Sequence, residues 1–171
     1  MGSFSFSFVV KVCYIFKVTE TEIGNYMSIK YLQQMVDELK GQGKMLFYEP
    51  TTQEKIDVFE KENNFTLPTK YKEWLLLSDG GELFLPAGVQ LYGVEYKPTI
   101  ITEDNNIPNN NYIIIGMLTS GDLVLCEKNE EKVSVYNPEV GRFEDGAIYD
   151  DFVAFLNDLY DLLDMKFYEE I

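Results

Sequence analysis

The sequence predicts an α+β domain in which N-terminal helices and a C-terminal helix pack on a central antiparallel β-sheet. Three observations carry that expectation. From residue 28 to residue 78 apolar residues recur with the 3.6-residue period of helices. From residue 83 to residue 137 they fall instead into short runs separated by turn residues, as strands do. After residue 151 a helical stripe returns. A chain of 171 residues suffices for one domain with a sizeable core.

The N-terminal stretch MGSFSFSFVVKVCYIFKV stands apart. Phe4, Phe6, Phe8, Val10, Val12, Tyr14, Phe16 and Val18 share one parity, the period of a strand. The basic patch and small-residue cleavage site of a secretory signal are not seen. Phe6 takes the position where a myristoylation pattern needs Ser or Thr. Residues 1–27 are therefore read as an extension: an added strand, an ill-ordered segment, or sequence ahead of a start at Met27. Residues 28–171 are read as a single domain.

Its first helix starts at Ser28, a capping residue, and places Ile29, Leu32, Met35, Val36 and Leu39 on one face before Gly41-Gln42-Gly43 ends it. MLFYEP is read as a link. Thr51 and Glu54 then form a T-x-x-E capping box for a helix with Ile56 and Phe59 inside, which ends near Asn63-Asn64. Pro68 suits the first turn of the next helix, where its missing N–H has no partner in any case. Tyr71, Trp74, Leu75 and Ser78 recur at i, i+3, i+4 and i+7, and Leu76 and Leu77 widen that stripe. Asp79-Gly80-Gly81 stops this helix, predicted over 68–78, and reverses the chain.

LFLPAGVQLYGVEY supplies two short strands around Pro86-Ala87-Gly88, with Pro86 arguing for an edge. TEDNNIPNNN is loop by composition. YIIIGM and DLVLCEK flank the turn Thr119-Ser120-Gly121, and KVSVYN makes a third consecutive antiparallel strand. PEVGRFEDGAIYD reads as another loop. In the last helix Phe152, Phe155, Leu156, Leu159, Leu162, Leu163 and Phe167 face inward, with Asp151, Asp158, Asp161 and Asp164 toward water.

The side-chain inventory excludes much chemistry. There is no histidine, which removes Ser-His-Asp and Cys-His catalysis and most zinc sites. Cys13 and Cys126 match no metal or redox spacing and read as separate thiols in a reducing, cytoplasmic setting. Asp79, Glu82, Glu95, Asp104 and Asp122 are the carboxylates that could pair as acid and base, yet no spacing singles them out among 29 acids. Asp79 reads as a cap and Asp122 as a turn residue. Gly80-Gly81 follows a helix, whereas a phosphate cradle leads into one, and no calcium-loop pattern occurs. No apolar run is long enough for a spanning helix. The sequence thus predicts no catalytic residue, no cofactor and no metal.

The charge is informative. Lys and Arg number 14 against 29 Asp and Glu, a formal net charge of −15. Such a surface repels nucleic acid and anionic membranes and attracts basic proteins. Tyr92 and Tyr96 share one parity, with Glu95 on the other and Glu103 and Asp104 just beyond, so these five are the candidate partner-binding residues. The competing reading is plain sheet packing. Trp74 could stack a ligand, but it shares a stripe with Tyr71 and Leu75 and reads as core.

FEKENNFTLPTKYKEWLLLSDGG at 59–81 resembles the signature of the SUKH superfamily through Phe59-Glu60, Leu67-Pro68, Tyr71, Trp74-Leu75 and Gly80-Gly81. IIIGMLTSGDLVLCE at 113–127 is similar to its strand–turn–strand element through Gly116, Gly121 and Asp122, and DDFVAFLNDL at 151–160 to its closing helix. Asp79 departs from the Asn-Gly-Gly usual there. The resemblance implies a scaffold signature and a non-enzymatic binding domain. It implies, for bacterial members, an immunity protein that neutralises a cognate toxin, often a nuclease; the alternative is a regulatory adaptor with an endogenous partner.

Overall fold

The computed structural model describes residues 30–34, 36–37, 45–85, 88–96 and 107–159. Within them six antiparallel strands run in sequence order: β1 (Gly81–Leu83), β2 (Val89–Leu91), β3 (Tyr112–Leu118), β4 (Leu123–Glu127), β5 (Val133–Asn137) and β6 (Arg142–Tyr149). Among the described residues each strand pairs with its neighbours in sequence order, and most connections are short turns, whereas residues 92–111 separate β2 from β3. Among the described residues four helices accompany the sheet: α1 (helical at 30–34 and 36–37), α2 (Gln53–Asn63), α3 (Thr69–Leu75) and α4 (152–159). The fold is α+β, as the alternation of periods predicts.

Strand alternation divides the sheet into two faces. Ile113 and Ile115 of β3, Val124 and Cys126 of β4, and Val133 and Val135 of β5 meet the helices in one core. The helices contribute Leu32, Val36, Ile56, Tyr71, Trp74, Leu75, Phe152, Phe155 and Leu156 to it. Leu125 and Tyr136, at the alternate positions, form a second cluster with Ile107, against which Tyr112, Leu123 and Phe143 pack. Tyr149 of β6 donates to Asp158 at 2.6 Å, and burial with that carboxylate pushes its hydroxyl up from the usual value. Asp158 thus ties α4 to the sheet instead of facing water.

Several expectations are corrected. The loop predicted at PEVGRFEDGAIYD is largely strand β6. Its register against β5 slips from Ser134↔Ile148 to Tyr136↔Phe143, and Gly146 sits at φ 76°. That bulge hides the alternation and blunts an edge that could otherwise template aggregation. The link MLFYEP is not a bare link: Leu46 exchanges both backbone hydrogen bonds with Glu82, each 2.8 Å, and covers the β1 edge. The cap of α2 is Thr52, whose hydroxyl accepts from the Lys55 N–H, one residue after the predicted Thr51. Thr51 is buried with its N–H on the Leu75 carbonyl, which removes it from capping. α3 ends at Leu75 and not at Ser78, and Pro68 precedes it in extended conformation as its cap. The readings of residues 1–29, of Met35 and Leu39, and of Leu162, Leu163 and Phe167 lie outside the described residues.

A candidate interaction surface around a buried aspartate

The signature residues are all accounted for by packing and backbone hydrogen bonds. Glu60 on α2 accepts from the Leu67 N–H at 2.7 Å and pairs with Lys72 of α3 at 3.1 Å, so it fixes the turn joining the two helices. Leu67 and Pro68 are buried in that turn. Tyr71 donates its hydroxyl to the Tyr92 carbonyl. Trp74, fully buried between Phe47 and Phe152, donates its indole N–H to the Gly80 carbonyl at 3.1 Å. Ser78 donates to the same carbonyl at 2.7 Å and accepts from the Tyr48 N–H. Gly80 has φ 97°, and a Cβ there would meet the Leu91 carbonyl oxygen at 2.6 Å, so the turn into β1 needs glycine. Gly81 continues the same reversal at φ 136°.

Gly116 lies at the β3–β4 irregularity, where a Cβ would press on the Gln90 carbonyl at 2.7 Å. Gly121 takes φ 95° in the β3–β4 turn. Asp122 closes that turn, its carbonyl accepting from Leu118 and its carboxylate from the Ser120 hydroxyl at 2.7 Å.

Asp79 does more than the cap its position suggests. Its side chain is fully buried, with Oδ1 accepting from the Val94 N–H at 2.7 Å and Oδ2 from Glu95 and Tyr96 at 2.8 and 3.2 Å. Three successive amides thus converge on one carboxylate, an anion-binding nest filled by the chain itself. Gly93 allows the approach, because a Cβ there would sit 2.3 Å from the Asp79 carboxylate. Residues 92–96 are therefore wrapped around Asp79, and the strand predicted there ends at Leu91.

The wrap decides what the candidate residues present. Tyr92 is half-buried, and desolvation raises the pKa of its phenol. Tyr96 is 49% exposed, its ring 6.0 Å from that of Tyr48. Glu95 is exposed and pairs with Lys55 of α2 at 2.8 Å. The structure thus brings Glu95 and Tyr96 together and turns Tyr92 partly inward, so the shared parity of the two tyrosines does not make a shared face. Glu103 and Asp104 lie outside the described residues.

Sequence reasoning missed Tyr48, Lys55 and Glu82 as neighbours of this surface. Tyr48 donates to Glu82 Oε1 at 3.2 Å, and Gln90 of β2 donates to the same oxygen at 3.2 Å. Burial and the Glu82 carboxylate together raise the Tyr48 pKa. The one available signal was the pair of aromatics in MLFYEP, too rich for a link. Beside Glu82 lies an open pocket of about 210 Å³ lined by Leu85, Gln90, Met117 and Thr119.

The arrangement suits binding better than reaction. Cys126 is fully buried, and burial pushes its thiol far above the ordinary range, so it is no nucleophile. Among the described residues no group of three His, Cys, Asp or Glu side chains could hold a metal ion. No helix among them is long and apolar enough to cross a membrane. What the surface offers is contact area from tyrosine and charge from carboxylates, held on rigid backbone.

No curated protein matches the chain in direct comparison. The sequence model of the SMI1 / KNR4 family (SUKH-1) matches residues 50–158. That stretch runs from the residues before α2 into α4 and contains every signature residue named above. The chain therefore belongs to the SMI1 / KNR4 family (SUKH-1), known for immunity proteins and for domains that are generally non-catalytic.

Proposed function

We propose that this chain is an immunity protein that acts in the cytoplasm, binding and occluding a cognate toxin of a polymorphic or contact-dependent system. The favoured toxin is a nuclease, because a nuclease needs a basic cleft to hold phosphates and a chain of net charge −15 complements that cleft. The observation that carries the reading is the Asp79 wrap, which presents Glu95 and Tyr96 on fixed backbone beside Tyr48. A surface organised before binding loses less entropy on association, and carboxylates around tyrosines steer a basic partner into contact.

Co-expression with the toxin encoded by the neighbouring gene tests it. The wild-type chain is expected to restore growth, and the double variant Glu95→Lys with Tyr96→Ala to restore it less at equal protein level. A harmless neighbouring gene product, or rescue that ignores the double variant, would count against this assignment.

A further inference from the structure

The pocket beside Glu82 is a second feature of the same face. Glu82 projects from β1 opposite Gln90 of β2, which in turn lies opposite Met117 of β3. The carboxylate is half-buried, and its described hydrogen bonds both come from neutral donors, Tyr48 and Gln90, and both fall on Oε1. No lysine or arginine among the described residues pairs with it, whereas Glu60, Glu73 and Glu95 each have a lysine partner. A half-buried carboxylate met by neutral donors alone among the described residues offers an arriving cation a favourable, partly desolvated partner.

The rest of the pocket has the complementary character. Leu85 and Met117 are each 37% exposed, enough apolar wall for a hydrocarbon stem. The volume of about 210 Å³ accommodates one long side chain and little more. The pocket is contiguous with the candidate surface through Tyr48, which touches both Glu82 and Tyr96. An anionic ligand is repelled there.

We propose that this pocket receives one basic side chain of the bound protein, its stem along Leu85 and Met117 and its charged end at Glu82. The inference rests on the reading of this face as protein-binding and names its anchor. Basic side chains that bury their stems and end on a carboxylate have the desolvated character of interface hot spots.

The test needs no toxin. The full chain carrying methyl-labelled methionine is titrated with N-acetyl-arginine amide, N-acetyl-lysine amide and the uncharged N-acetyl-norleucine amide, reading the Met117 methyl resonance. The two basic amides are expected to shift it saturably and the norleucine amide not to. Glu82→Gln, nearly isosteric and able to keep the Tyr48 hydrogen bond, is expected to weaken the basic amides about tenfold, as loss of a charge-assisted contact does. Gln90→Lys, which sets an internal ammonium directly opposite Glu82, is expected to abolish their effect without lowering the melting temperature. An equal response to the norleucine amide, or basic amides that bind both variants as they bind wild type, overturns the proposal. Toxin neutralisation without amide binding refutes this anchor alone, and amide binding without neutralisation refutes the functional reading alone.

Discussion

Asp79→Ala is expected to lower stability by about 3 kcal/mol, because three buried backbone donors lose a charged acceptor at once. For a chain of this size that is a fall of about 6–12 °C in melting temperature, read by calorimetry. The loss is local in origin. Hydrogen exchange at the amides of Val94, Glu95 and Tyr96 is expected to accelerate more than at Ile113 and Ile115, which sit in the sheet core. Asp79→Asn keeps one acceptor oxygen while turning a donor toward the remaining amides, and is expected to fall between alanine and wild type. If the amides of residues 94–96 remain as protected in Asp79→Ala as in wild type, the wrap does not depend on this carboxylate. Affinity for the partner should drop in parallel, since Glu95 and Tyr96 lose their fixed placement.

Trp74→Ala is expected to cost more, about 4 kcal/mol, by leaving a cavity where the indole met Phe47 and Phe152. Trp74→Phe retains an aromatic ring but removes one of two donors to the Gly80 carbonyl, leaving that of Ser78, and is expected to cost about 1–2 kcal/mol with the smaller ring's packing loss. Chemical denaturation resolves the two. Their distinguishing mark is function: the folded fraction of Trp74→Phe should bind the partner as wild type does, because the indole is fully buried and offers no surface to it. A Trp74→Phe protein of wild-type stability with weakened binding would make the tryptophan a contact residue and undo its place in the scaffold.

The elements legible in the sequence were those whose signal is local. The stripe Tyr71, Trp74, Leu75 marked α3 because helical spacing repeats within two turns. β3 and β4 were visible through apolar runs around a short turn, and β5 through the β-branched and aromatic residues of VSVY. β6 was not, because its bulge puts Glu144, Asp145 and Gly146 in the middle of a strand, and those three read as a turn. Thr51 and Thr52 offered two caps one residue apart. The Thr51 N–H reaching Leu75, 24 positions away, takes Thr51 out of the choice and leaves Thr52 as the cap. Alternation suggested that Tyr92 and Tyr96 share a face, but Asp79 captures the intervening amides across 15 to 17 residues and bends the chain out of the strand. Long-range hydrogen bonds of that kind leave no periodic trace.

The neighbours of the candidate surface left no periodic trace for the same reason. Glu95 and Tyr96 read as a carboxylate and an aromatic on opposite parities of one strand, but that strand ends at Leu91. Tyr48 and Glu82 reach them only because Leu46 bridges Glu82 and carries Tyr48 alongside. The signature residues were legible as a pattern long before their roles were. Glu60 is the clearest case, since its bond to the Leu67 N–H and its pairing with Lys72 explain why a glutamate stands seven residues ahead of Leu67.

The central claim is that this acidic face binds a basic toxin by electrostatic steering. Its most direct test is the affinity of the purified pair measured at two salt concentrations, about 0.05 and about 0.5 M. The account predicts a fall of about tenfold or more at the higher salt, most of it in the association rate. An affinity and association rate indifferent to salt would contradict it.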